Sequence, residues 1–123
     1  MKWLSGVFGG KDKNRPRASA QDLDQMTRAQ IAKAGGDLAK LTEIVNYLHL
    51  PGEAKAQATG AELHLAGYEV TVCPAATGPR WLALAKLEMS PSEENIAMLR
   101  ERFEGLATKF GGDYDGWEAA VTE

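Results

Sequence analysis

"KFGGDYDGWE", Lys109 to Glu118, sets three glycines, three carboxylates and three aromatic side chains in ten positions. Residue types at this density can form an acidic catalytic or metal site, or end a helix and start a strand. Asp113, Asp115 and Glu118 are the only local carboxylate cluster. In a regular strand residues 113 and 115 share a face while 118 points the other way, which divides the cluster. A calcium loop needs more oxygen ligands at alternating spacing. A phosphate cradle places its glycines before a helix rather than after one. The chain has no GxSxG, Walker loop, HExxH or CxxC pair. His49 and His64 lack Cys or carboxylate neighbours at usual ligand spacing, and His64 reads as a solvated helix residue. Cys73 has no adjacent cation to activate it and reads as a small core or rim residue. With neither base, nucleophile nor metal partner in place, the stretch implies no catalytic residue, no metal and no cofactor. Gly111 and Gly112 then stop a helix, Asp113 and Asp115 solvate the turn, and Tyr114 and Trp117 anchor a strand. Gly116 inside that strand predicts a bulge or a close backbone approach. Two aromatics and several acids around a bulge also suit a recognition edge, with Glu118 beside it.

The elements that must position this stretch follow from periodicity. Ser19 or Asp22 caps a helix to about Ala34, with Leu23, Met26 and Ile31 as its apolar contacts, and "AGGD" stops it. "LTEIVNYLHL", 41–50, favours a strand, with Ile44, Leu48 and Leu50 on one face and Val45, Tyr47 and His49 on the other. Periodicity leaves a helix open there. Pro51 suits the first turn of a second helix, whose small residues Ala54, Ala58 and Ala61, with Leu65, form a stripe for close packing. "YEVTVC" and "RWLALAKLEM" form a hairpin across "PAATGP". "SPSEE" offers Ser90 as N-cap, Pro91 at the first helical position and Glu93 as the capping-box partner. Ile96, Leu99, Phe103, Leu106 and Phe110 then recur as a core-facing stripe.

A helix followed by β-α-β-β-α-β is an α+β order. It predicts a ferredoxin-like sandwich with a four-stranded antiparallel sheet, two covering helices and an additional N-terminal helix over an edge or the other face. Residues 19–123 form the single domain. Residues 1–18 read as a basic, flexible tail, in which Trp3, Leu4, Val7 and Phe8 could also gather on one helical face as a membrane-surface or partner anchor.

Charge bounds the partners. Residues 1–17 hold five cationic side chains against Asp12, a local charge of +4, so the other 106 residues carry −7 within a net −3. A body of that sign repels phosphate backbones, so direct nucleic-acid binding is not expected, and a basic protein segment is the natural partner. The single cysteine suits a reducing cytoplasm, and the apolar start is shorter than a signal-peptide core.

At "LATKFGGDYDGWE" the chain resembles the RraB family, bacterial protein regulators of ribonuclease E. "AGYEV" and "AGGDLAKLTEIVNYLHLP" are similar to that family's helix-to-strand junction and its first strand. The likeness covers roughly residues 20–121. It implies a ferredoxin-like domain without catalysis that binds the basic, arginine-rich, non-catalytic part of ribonuclease E and alters RNA decay. The motif positions carried over are Gly111, Gly112, Tyr114, Asp115, Gly116 and Trp117. The basic residues 1–17 depart from the family pattern. A membrane-tethered or self-associating module of unrelated role is the alternative that "MKWLSGVF" and the basic run support.

Overall fold

A computed structural model describes residues 2–5, 20–76 and 78–123. Among these, five strands and three helices follow in the order β1 (Trp3–Ser5), α1 (Ala20–Lys33), β2 (Thr42–Leu50), α2 (Glu53–Leu65), β3 (Glu69–Pro74), β4 (Trp81–Met89), α3 (Glu93–Phe110) and β5 (Asp113–Ala120). The strands make one open antiparallel sheet in the order β1-β5-β2-β4-β3. The fold is α+β, as the element order predicts.

Alternation settles residues 41–50 as a strand. Thr42, Ile44, Asn46, Leu48 and Leu50 are buried while the residues between them are half-exposed, a period of two that no helix produces. β2 is central, with β4 and β5 antiparallel on its two sides. β3 and β4 form the expected hairpin.

All three helices reach the same face of the sheet. α1 touches it through Asp24 and Trp117, α3 through Phe103 and Tyr114, and α2 through Gly60, where a Cβ would lie 3.1 Å from Val70 and 3.2 Å from Val72. Ile44, Leu48, Leu50, Ala83, Ala85, Phe103 and Trp117 form the core between the layers.

Six expectations need correction. The sheet has five strands rather than four, because Trp3–Ser5 pairs with Glu118–Ala120 at the outer edge, continued by Val121 N–H donating to the Lys2 carbonyl at 2.8 Å. Trp3 and Leu4 therefore lie in a strand, where alternation puts them on opposite faces rather than on one helical face. Val7, Phe8 and most of the tail, 6–19, lie outside the described residues.

The stripe Ala54, Ala58, Ala61, Leu65 faces outward, with Leu65 87% exposed, and the buried face is Ala56, Thr59, Gly60 and Leu63. An alanine-rich helix is nearly equally apolar all round, so the position able to sit closest to the sheet, Gly60, fixes its rotation. Pro51 precedes the cap, because Gly52 is the N-cap.

In α1 Met26 is 56% exposed, while Asp24, Thr27 and Ile31 are buried. In α3 the N-cap is Ser92, whose Oγ accepts from the Asn95 N–H at 3.1 Å. Ser90 serves instead as an acceptor for the Asn95 side chain.

Candidate functional site: the bulged last strand

α3 stops at Gly111, whose φ of 72° is left-handed backbone, a conformation glycine adopts without a Cβ clash. Gly112 serves a different need. A Cβ there would collide with the carbonyl oxygen of His49 and lie 2.8 Å from Leu50 Cδ1. The paired glycines thus stop the helix and then bring β5 close against β2.

Three residues beyond Gly112, the pairing of β5 with β2 slips. Leu48 faces Tyr114 and Tyr47 faces Gly116, so Asp115 is the additional residue of a β-bulge, with Gly116 at φ 108°. Of the two readings of Gly116, a bulge or a close backbone approach, the register shows the bulge. The insertion inverts the alternation on one side of it. Tyr114, Trp117 and Ala119 lie opposite Leu48, Asn46 and Ile44, on the helix-covered face. Asp113 and Glu118 lie opposite His49 and Val45, on the face left uncovered by the described helices, and Asp115 reaches the same face, 3.4 Å from His49 Nδ1. A regular strand would have divided the carboxylates. The bulge brings Asp113, Asp115 and Glu118 onto one surface, which corrects the expectation that they diverge.

The two aromatics do structural work beneath that surface. Trp117 is fully buried, and its Nε1–H donates to Asp24 Oδ1 at 2.9 Å. Asp24 also accepts from Arg100 Nε at 2.6 Å and Nη2 at 2.8 Å. Arg100 stands over the Tyr114 ring at 5.0 Å, and Phe103 stacks on that ring. The Tyr114 hydroxyl donates to Asn46 Oδ1 at 2.8 Å, and Asn46 Nδ2 donates to the Ala85 carbonyl. Burial works against the charge on Arg100, but the two hydrogen bonds and the charge of Asp24 outweigh it and raise its pKa. Burial first of all pushes the Tyr114 hydroxyl well above the ordinary tyrosine value, with the Arg100 charge opposing it. Neither aromatic offers a titrating group at neutral pH.

Sequence reading missed Asp24, Arg100 and Asn46. Asn46 had a legible signal, since it shares β2's period with Ile44 and Leu48. Asp24 and Arg100 had none, because their pairing joins residues 76 positions apart.

On the uncovered face, burial first of all raises the Asp115 carboxyl, opposed by His49 and Arg80 and assisted by Asp113. Tyr47 is raised by burial and then by the negative charge of Glu118. Arg80 pairs with Asp113 at 2.9 Å. Among the described residues no three His, Cys, Asp or Glu side chains stand together so as to hold a metal. None of the described helices is long and apolar enough to cross a membrane.

Among the described residues the fold is an α+β domain, an open antiparallel sheet with helices on one face and the bulge-gathered carboxylates on the other. The chain belongs to the RraB family, described as regulator of ribonuclease activity B, whose family model matches residues 21–119. A comparison with curated proteins returns no match.

Proposed function

We propose that this protein is a non-enzymatic regulator that lowers or redirects RNA decay by docking its acidic face, which no described helix covers, onto the basic, non-catalytic region of ribonuclease E. The observation that carries the reading is the convergence of Asp113, Asp115 and Glu118, all partly exposed, on one face of a body charged −7. Membership of a ribonuclease-regulator family supports the same reading. An acidic surface attracts an arginine-rich segment over a screening length of about 8–10 Å at physiological salt, which accelerates encounter. The site of action is then a bacterial cytoplasm. The strand order β5-β2-β4-β3, with β2 and β4 central, supports a ferredoxin-like core to which β1 is an edge addition.

The test is association kinetics with the recombinant basic region of ribonuclease E between low and moderate salt. Binding by the parent should weaken steeply as salt rises. The triple variant D113N/D115N/E118Q keeps side-chain shape and removes three charges, and it should associate more slowly with a flatter salt dependence. Identical kinetics for parent and variant at every salt concentration would move the interface away from this stretch.

A further inference from the structure

The uncovered face is more than an acidic patch. Strand register lays its residues out in rows: Glu118, Val45, Lys86, Glu69; then Gly116, Tyr47, Leu84, Thr71; then Asp113, His49, Leu82, Cys73. Val45, Tyr47, Leu82 and Leu84 occupy the two central strands and are half-buried, and no described helix packs over them. Carboxylates surround this apolar centre. Asp113, Asp115 and Glu118 flank it on β5, Glu69 lies across it on β3, and Glu43 and Glu88 close one end. Among the described residues, Lys86 and Arg80 pair with three of these six acids. Lys86 bridges Glu43 at 2.8 Å and Glu69 at 3.3 Å, and Arg80 bridges Asp113.

Resting on the reading that this chain docks on a basic protein segment, we infer that the face selects segments in which basic residues flank a short apolar run, rather than basic segments in general. The geometry sets the spacing. β5 and β3 are separated by β2 and β4, three inter-strand steps or about 14 Å, a distance spanned by about four residues of extended chain. Arginines at the two ends of such a run reach carboxylates on both margins, while the residues between them cover Tyr47 and Leu84. Charge alone would bind any polycation, with an affinity that salt abolishes. The apolar centre adds a contribution that salt does not screen.

The probes are two peptides of equal charge, Arg-Arg-Val-Leu-Val-Arg-Arg and Arg-Arg-Ser-Ser-Ser-Arg-Arg, titrated against the full chain at low and moderate salt. The apolar-centred peptide should bind about tenfold more tightly, with the ratio maintained or increased at moderate salt. The variant Y47S/L84S should bring the two affinities together, whereas D115N/E118Q should weaken both peptides by similar factors. A circular-dichroism melt checks that each variant is folded, and the comparison of peptides on the parent chain needs no variant. Equal affinity of the parent for the two peptides overturns the inference. It leaves the regulator reading standing if the ribonuclease E region still binds with the salt dependence given above. Failure of that region to bind the parent at any salt overturns both. A parent dimer that Y47S/L84S dissociates would assign the face to a second copy of this chain and overturn the inference as well.

Discussion

The Trp117 indole N–H donates to Asp24 at 2.9 Å, joining the last strand to the first helix across 93 positions of sequence. The same carboxylate holds Arg100 of α3 by two hydrogen bonds, and Asp24 and Arg100 side chains are only 5% and 11% exposed. One buried acid therefore fastens two helices to the sheet. Its removal leaves a buried guanidinium and a buried N–H without their acceptor. Asp24→Ala should lose about 3–5 kcal/mol of stability, the usual cost of breaking a buried ion pair from one side. Urea unfolding checks this through a lowered midpoint at unchanged slope.

Trp117 itself is a packing element with no exposed surface. Trp117→Ala should cost about 3–5 kcal/mol, through the cavity as well as the lost hydrogen bond. Trp117→Phe should cost less, because much of the ring volume stays. A thermal melt of Trp117→Ala within about a degree of the parent would contradict the buried position.

Three glycines should respond differently to the same added methyl group. Gly112→Ala forces a Cβ into the His49 carbonyl and should destabilise by about 1–3 kcal/mol. Gly111→Ala meets open space but keeps a left-handed φ of 72°, for a cost of about 1 kcal/mol. Gly105→Ala, in open space on α3, should stabilise by about 0.5–1 kcal/mol. Chemical denaturation of the three variants checks the order.

Asp115 carries a pH prediction. Its folded pKa lies above the ordinary 3.8, chiefly through burial. The charged form is thus disfavoured by folding, and this cost is relieved as pH falls through the raised value. Asp115→Asn should therefore be as stable as the parent at pH 7, or slightly more so, within about 0.5 kcal/mol. The difference should vanish below pH 3.8, where the carboxyl is protonated in both states. Urea unfolding at pH 7 and pH 3 checks the sign. Because this carboxyl neutralises earlier than an ordinary one, association with a basic segment should slow at mildly acidic pH.

Elements with a strong local signature were legible in the sequence. The stripe Ile96, Leu99, Phe103 recurs at helical spacing and is buried, and the alternation of β2 sorts its two faces correctly. Gly111 was read correctly as a stop and Gly116 as a bulge or a close backbone approach, since each conformation favours glycine whatever the surroundings. The rotation of α2 was not legible, because alanine on every side leaves no periodic signal. The cap of α3 was displaced by two residues, because Ser90 and Ser92 both satisfy the local pattern and the contacts of Asn95 choose between them.

The acidic cluster shows the division most clearly. Its residue types, its glycines and the −7 body are properties of the chain. Which side of the sheet each carboxylate faces depends on the register of β5 against β2, and that register slips by one residue at Asp115. Side chains alternate with a period of two, so a single inserted residue inverts every position beyond it. That inversion puts Tyr114 and Trp117 together in the core and gathers Asp113, Asp115 and Glu118 outside it. Local sequence marked Gly116 for a bulge or a close backbone approach, but only pairing with a strand some 70 residues earlier decided that a bulge forms and what it brings together.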